Sequence, residues 1–331
     1  MTGVLTDLSQ FEGQYGLPGV PVSVVKVGVG PWTDDTGRGE WDMDTQTSIG
    51  IAGGVQKLII YNGGSLGADM PAAFNRFVTD GTAKAGSVSV SGCEVVESVF
   101  GTVAAEDQIF QQAAAQGQTI FASTGDTGAT CYDFVAGIAI GGLANGVPDG
   151  GIPAGQGYPA SSPYVIAAGG TTLSVTSAGA YNVETAWDAG GGGISLVESA
   201  PSWQVPVLPL SVANAVLGFR GVPDLAMDAD FLVSPAALVV NGAASTNGGT
   251  SLSSPLALGV WARLQSAHGN ALGFAGPAIY ALAHTGTAVS SITGFHDITV
   301  GNNGLYSAHP GWDYTTGLGS FDISAVNALI H

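Results

Sequence analysis

The sequence predicts an α/β fold: a mainly parallel central sheet with helices on both faces. Three observations predict it. β-Branched or apolar runs alternate with segments of helical period, the signature of strand–helix units. Hydrophobic residues make up 45% of 331 positions, with 52 Gly and 16 Pro, so the chain is globular and turn-rich rather than disordered. No internal repeat and no dividing linker interrupts it, so residues 1–331 read as one domain.

In order, Gly3 to Tyr15 carries Leu5, Leu8 and Phe11 at helical spacing. Val20 to Val29 is β-branched and reads as a strand, and Pro31 to Gly39 as a polar loop. A helix follows from about Glu40 towards Ala52, then a buried strand over Val55–Tyr61. Asp69 to Thr79 has helical period, Ser87-Val-Ser-Val-Ser91 alternates like a strand, Ala104 to Gln116 is a helix and Thr119 to Ser123 a strand. From Gly125 to Pro163 the chain is loop-rich apart from an apolar run, Phe134 to Leu143. Tyr164 to Ala168 resumes a buried strand, and Leu173 to Trp187 predicts a hairpin turning at Ser177-Ala-Gly179. Gly190 to Gly193 suits a bend or a close backbone approach. A helix over Ser253–Ala267 and another over Asp322–Ile330 complete the pattern.

Charge bounds the function. Seven basic residues stand against 25 acidic ones, a net charge of −18, so nucleic acid and anionic membrane surfaces are excluded as partners. Charged residues are 10% of the chain, well below the usual ~25%. Few bases leave little positive self-repulsion once carboxylates are protonated, which suits acidic surroundings; an acidic surface for solubility explains the charge equally well. No apolar run has transmembrane length, and the start has neither the basic nor the apolar region of a signal peptide, so the chain reads as soluble. Cys93 and Cys131 lack metal-site spacing and leave a disulfide and a pair of buried thiols both open.

Chemistry concentrates at Asn247-Gly-Gly-Thr-Ser-Leu-Ser-Ser-Pro255. Glycines before Ser251 permit a tight turn, and Pro255 suits the first turn of a helix. A serine there sits near backbone donors and the positive end of a helix dipole, placed to attack a carbonyl. The plainer reading is that Thr250, Ser251, Ser253 and Ser254 cap a buried helix. A nucleophile needs a base, yet all five histidines (268, 284, 296, 309, 331) follow Ser251, which excludes the Asp, His, Ser order of subtilisin. Glu40 and Asp44, four apart on a helix, share a face and are destabilising unless one is protonated or the two share a proton. An acidic first turn, with Asp42 as a further member, is the structural alternative. Asp126 follows a predicted strand, where parallel sheets place their sites, and when protonated can donate to an oxyanion; a turn aspartate between glycines is its alternative.

Together these residues resemble the sedolisin family, the serine-carboxyl peptidases. The matching segments are Gly39-Glu-Trp-Asp-Met-Asp44, Ser123-Thr-Gly-Asp-Thr-Gly128, Tyr158-Pro-Ala-Ser-Ser-Pro163, Pro223-Asp-Leu-Ala-Met-Asp228, Gly248-Gly-Thr-Ser-Leu-Ser-Ser-Pro255 and Gly311-Trp-Asp-Tyr-Thr-Thr-Gly-Leu-Gly319, in family order over nearly the whole chain. The resemblance implies a subtilisin-like fold and acid-pH hydrolysis of protein or peptide substrates. It makes Ser251 the nucleophile, Glu40 the general base and then acid, Asp44 the residue that orients Glu40, and Asp126 the oxyanion donor. It also implies one structural Ca²⁺ held by Asp297 and Asp313 with the carbonyls of Ile298, His309 and Gly311, a hard-oxygen set. Position 309 is usually Gly in the family.

Ser91 and Gly92 are implied to bind peptide backbone and Trp41 to contact substrate, although the family's usual tryptophan in the segment matching Ser89–Cys93 is missing. Cys93 and Cys131 match a disulfide. The resemblance further implies secretion, a precursor propeptide and a monomer, and suggests that a first core strand precedes Gly3 in relatives but is absent here. Two other functions remain open: a non-catalytic, calcium-stabilised secreted relative, and a neutral-pH serine hydrolase using a late histidine.

Overall fold

The computed structural model describes residues 1–33, 37–64, 69–133, 138–140, 143–144, 147–148, 155–208, 218–283 and 292–331. Helix α1 (Thr2–Tyr15) buries Val4, Leu8 and Phe11 on one stripe and ends at Gly16 in the left-handed region, the usual glycine stop. Strands β1 (Val22–Val27) and β2 (Leu58–Gly63) pair in parallel around α2 (Arg38–Ala52). The expected buried strand 55–61 is therefore displaced. Pairing starts at Leu58 opposite Val22, and only Ile60 and Asn62 of β2 are buried. Gly53 and Gly54, both at positive φ, end α2, and the residues after them carry the chain across to the sheet.

The central sheet joins β3 (Ala85–Val88), β5 (Thr119–Ser123), β7 (Ile166–Val175) and β9 (Leu225–Asp228) in parallel, while β8 (Tyr181–Ala186) returns antiparallel on β7. The mainly parallel sheet and the 173–187 hairpin are thus present. Side chains alternate between two cores, as strand geometry requires. Phe121, Ile166 and Ala168 join Ala257, Val260, Trp261 and Leu264 of α6 (Thr250–Ala267). Ile120, Ala122, Val165 and Ala167 face away, towards Phe74 and Phe77 of α3 (Met70–Asp80) and Phe110 of α5 (Thr102–Ala115). Helices therefore cover both faces, as the alternation predicts.

Two other elements differ from expectation. The strand predicted over 87–91 ends at Val88, the last residue with a partner on β5. The chain then pairs at β4 (Gly92–Cys93) with β6 (Gly157–Tyr158) and enters α4 (Glu94–Val99), a short helix without sequence forewarning. Cys93 and Cys131 form a disulfide with Cα atoms 5.3 Å apart. The apolar run 134–143 falls largely outside the described residues. Beneath the sheet, fully buried Arg220 and Asp224 pair at 2.6 Å, and Asp224 also accepts from Tyr280 and the Ala167 N–H. A buried charge pair is tolerable only when so fully bonded. Among the described residues no helix is long and apolar enough to cross a membrane.

Candidate active site

The glycines before Ser251 are needed for space as well as for the turn. A Cβ on Gly248 would lie 2.6 Å from the Ala229 carbonyl, and one on Gly249 would lie 2.4 Å from Asp126 Oδ2. Gly249 also holds φ 88°, where other residues are strained. Helix α6 starts at Thr250 rather than Ser253, so Pro255 lies inside it and not in its first turn. The serines and threonine do not cap it either, since the N-cap has no side-chain bond. They fasten the helix to its surroundings instead. Thr250 N–H and Oγ1 donate to Asp126 Oδ1 at 2.7 and 2.8 Å. Ser253 Oγ donates to the Gly169 carbonyl at 2.6 Å and accepts from Met227 N–H, while Ser254 Oγ meets Ser87 Oγ at 2.8 Å.

Across from this turn stands α2. Its position is set by Gln46, whose amide bonds both the N–H and the carbonyl of Val239 in the hairpin β10 (Ala236–Val240) and β11 (Ala243–Asn247). Gly259 lets α2 and α6 approach closely, because a Cβ there would be 2.7 Å from the Ser48 carbonyl. Glu40, in the first turn of α2, and Ser251, in the first turn of α6, come together as a result.

Burial pushes the Glu40 carboxyl up to about 7, a hydrogen bond from the Ser251 side chain works against that rise, and the charge of Asp126 adds to it. Among the described residues Glu40 Oε1 is buried without a hydrogen-bond partner. Asp44 is held well above the ordinary carboxylate range by burial and then by the Glu40 charge, with Ser89 pulling the other way from 2.6 Å. The cleft walls raise Asp126 as well, against the two Thr250 donors. Its side chain nevertheless keeps an exposed edge, so cleft walls packed nearby rather than full enclosure set this direction. Three carboxyls thus converge on one serine, each with a reason to keep a proton. Asp42 is directed elsewhere, 3.6 Å from Arg38.

Ser91 lies beside this cluster: Cβ atoms on Gly157 and Gly125 would meet Ser91 Oγ at 3.0 and 3.5 Å. Gly92 pairs with Tyr158, and the Glu97 carboxyl occupies the space its missing side chain leaves. Trp41, half-buried, adjoins Glu40 in the chain, and its carbonyl accepts from Thr45 Oγ1. Ser89 and Thr250 escaped sequence reasoning as site residues. The period-two serines 87, 89 and 91 were the available signal, but their partners on α2 and α6 were not.

Away from this cleft, Asp297 Oδ2 accepts from Gly311 N–H and Asp313 Oδ2 from His309 N–H, both at 3.0 Å. Burial raises Asp297, and the nearby Asp313 charge raises it further. Asp313 Oδ1 also accepts from the N–H groups of Thr315 and Thr316. The two carboxylates are therefore drawn together across one loop, a hard-oxygen pair whose repulsion a divalent cation would relieve. Ile298 is buried next to Asp297 in the chain. Among the described residues no group of three or more His, Cys, Asp or Glu forms a metal cluster. Of the late histidines, His268 meets the Asn327 carbonyl, His296 stacks on Tyr181 and His309 contacts the Pro310 carbonyl, while His284 lies outside the described residues.

No family model matches the chain. It is 43% identical to sedolisin of Pseudomonas sp. (strain 101) over 350 residues, covering 98% of this chain and 55% of that protein. It is 42% identical to xanthomonalisin of Xanthomonas sp. (strain T-22) over 363 residues, covering 99% and 42%. The chain thus spans about half the length of the curated relatives it matches. Among solved structures it superposes on Pseudomonas sedolisin, a serine-carboxyl proteinase complexed with two molecules of pseudo-iodotyrostatin. That match has a TM-score of 0.87 and 41% identity, and covers 99% of this chain and 89% of that one.

Proposed function

The chain belongs to the sedolisin (serine-carboxyl proteinase) family, and from that premise we propose that it is an acid-acting serine-carboxyl endopeptidase. The observation that supports this most directly is the Ser251 side chain facing a Glu40 carboxyl that burial raises to about 7, with Asp44 behind it. The carboxyls titrate as a set rather than singly. Once Asp126 is protonated, its repulsion of Glu40 disappears. The first negative charge of the set then settles on Glu40, which has the Ser251 hydroxyl as a donor.

In this reading Ser251 Oγ attacks the peptide carbonyl carbon while its proton passes to the Glu40 carboxylate. Protonated Asp126 donates a hydrogen bond to the oxygen as it gains charge. Collapse breaks the C–N bond, and Glu40 returns the proton to the leaving amine. Water then repeats the sequence on the ester, giving its proton to Glu40 and releasing Ser251. Asp44 orients Glu40 and holds a proton beside it throughout, so no imidazole is required. Ser91 and Gly92 are the backbone contacts of the substrate in this reading, and Trp41, next to Glu40 in the chain, is a further contact.

Protein or peptide substrates, a precursor propeptide, secretion and a monomeric state belong to the same proposal. So does one structural Ca²⁺ at Asp297 and Asp313 with the carbonyls of Ile298, His309 and Gly311. Its contribution there is to neutralise two like charges and brace the loop, with no part in the chemistry.

The decisive experiment is cleavage of denatured protein from about pH 2 to about pH 8, with pepstatin present to exclude aspartic peptidases. Glu40→Gln and Ser251→Ala should each abolish cleavage; full activity in either sinks the assignment. EDTA should lower the thermal midpoint of the wild type, and an unchanged midpoint removes the ion from the proposal.

A further inference from the structure

Near the start of helix α6 one carbonyl loses the partner its own backbone would supply. The Ser251 C=O would normally accept from the N–H of residue 255, but residue 255 is proline and has no N–H. Ser89 Oγ lies 3.2 Å from that carbonyl oxygen and 2.6 Å from Asp44 Oδ1. A hydroxyl has one proton to give and two lone pairs to receive with. It can donate to the carbonyl or to the carboxyl, but not to both.

The two arrangements correspond to two protonation states. With Asp44 protonated, its O–H donates to Ser89 Oγ, and Ser89 donates onward to the Ser251 carbonyl. With Asp44 ionised, Ser89 turns its proton to the carboxylate, because a charged acceptor is the stronger one. The Ser251 carbonyl then loses its partner. We propose that Ser89 is a positioning residue whose single proton couples the state of Asp44 to the backbone anchorage of Ser251. The nucleophile's turn is tied down while the carboxyl set keeps its proton and is released when that proton leaves. This inference rests on the peptidase reading of the same site and adds to it a link between acidity and the nucleophile's backbone.

The surroundings leave Ser89 and Glu40 as the groups that act on Asp44. On α2 itself Glu40 faces it, and Asp126 acts on Glu40 from the loop after β5. Helix α1 brings Asp7 and Glu12; Asp7 is paired with Arg38, and Glu12 accepts from the Val20 N–H. Hairpin β10–β11 contributes no charged side chain. The one charged residue of α6, Arg263, bonds the Ile51 carbonyl at the far end of α2.

The test is the pH profile of kcat/KM on an internally quenched peptide, whose alkaline limb reports loss of the proton held by the carboxyl set. Ser89→Ala removes the donor that stabilises ionised Asp44. The proton is then held more tightly, and the limb should move up by about half a pH unit or more. The rate at the optimum should fall about tenfold for the lost anchor. Ser89→Thr keeps the hydroxyl and should restore both.

Pro255→Ala should shift the limb in the opposite direction. Its new N–H takes the Ser251 carbonyl and frees Ser89 for the carboxylate, so the limb moves down. Should Ser89→Ala fail to fold, as thermal unfolding would reveal, the direction of the Pro255→Ala shift alone decides. Limbs that stay in place, or that move the same way in both variants, overturn the inference and leave the peptidase reading standing. A wild type that cleaves nothing at acid pH overturns both.

Discussion

Glu40 and Asp126 show how little a residue's type settles about its role. Both are carboxyls raised by burial, but one accepts from a hydroxyl and the other accepts from Thr250 while keeping an exposed edge. The first is suited to take a proton and the second to give a hydrogen bond. Asp126→Ala should therefore lower kcat by about 10²- to 10³-fold with little change in KM, the pattern for an interaction made only in the transition state. Asp126→Asn keeps a donor and has no proton to lose. The acid limb, which Glu40 sets while Asp126 is protonated, should therefore stay in place, while the alkaline limb loses the contribution of Asp126 ionisation. Steady-state kinetics across pH on both variants checks this, and an acid limb that moves would contradict the geometry.

At the scale of elements, the site is a junction of two helices and one turn. Helices α2 and α6 can approach because residue 259 is glycine, and Gln46 stops α2 from sliding on the hairpin. In Gly259→Ala the new methyl would sit 2.7 Å from the Ser48 carbonyl and 2.8 Å from Ile51 Cβ, so the helices must part. Overpacking of this kind costs about 1–3 kcal/mol. Denaturant unfolding should register that loss, and kcat should fall with it because Glu40 and Ser251 sit on the two helices that separate. A variant destabilised but fully active would mean that the first turns of the helices are held independently of their crossing.

For the whole molecule the carboxyls decide how stability follows pH. Burial raises Glu106 to about 8, with Glu97 and Asp107 adding charge repulsion, and raises Glu198 to about 8 with Asp107 adding to it. Glu40 stands at about 7, and burial takes Asp228 to about 6. Each folded value lies above the ordinary one, so the folded state binds more protons than the unfolded chain as pH rises between the two. The stabilisation is complete below the ordinary value of 4.5 for glutamate and is lost progressively up to about 8. Asp7 has the opposite sign. Burial raises it, but Arg38 and the N–H groups of Gly242 and Asn241 outweigh that and lower it, so its contribution is lost as pH falls below 3.8. The thermal midpoint should accordingly be highest near about pH 4 and fall steadily towards about pH 8. Calorimetry across that range checks it, and a midpoint that rises towards neutrality would show that these carboxyls are not protonated in the folded state.

Taken by itself, the sequence determined what depends on short spacing. The helical interval from Glu40 to Asp44, the glycines ahead of Ser251, the strand leading to Asp126 and the alternation of elements are all local, because helix and strand periods are properties of neighbouring residues. The start of α6 was misplaced because Pro255 is a strong local signal, and the contacts of Thr250 that override it lie 124 positions away at Asp126. Spacing alone leaves the Cys93–Cys131 pairing open, and the family resemblance implies the disulfide that the fold contains. Only tertiary structure decided that Ser89 would meet both Asp44 and the Ser251 carbonyl, that Ser253 would bind Gly169, and that Gly259 would bring two helices together. These are contacts between distant segments. Their partners are chosen by how the cores on the two faces of the sheet pack, and no interval along the chain encodes that choice.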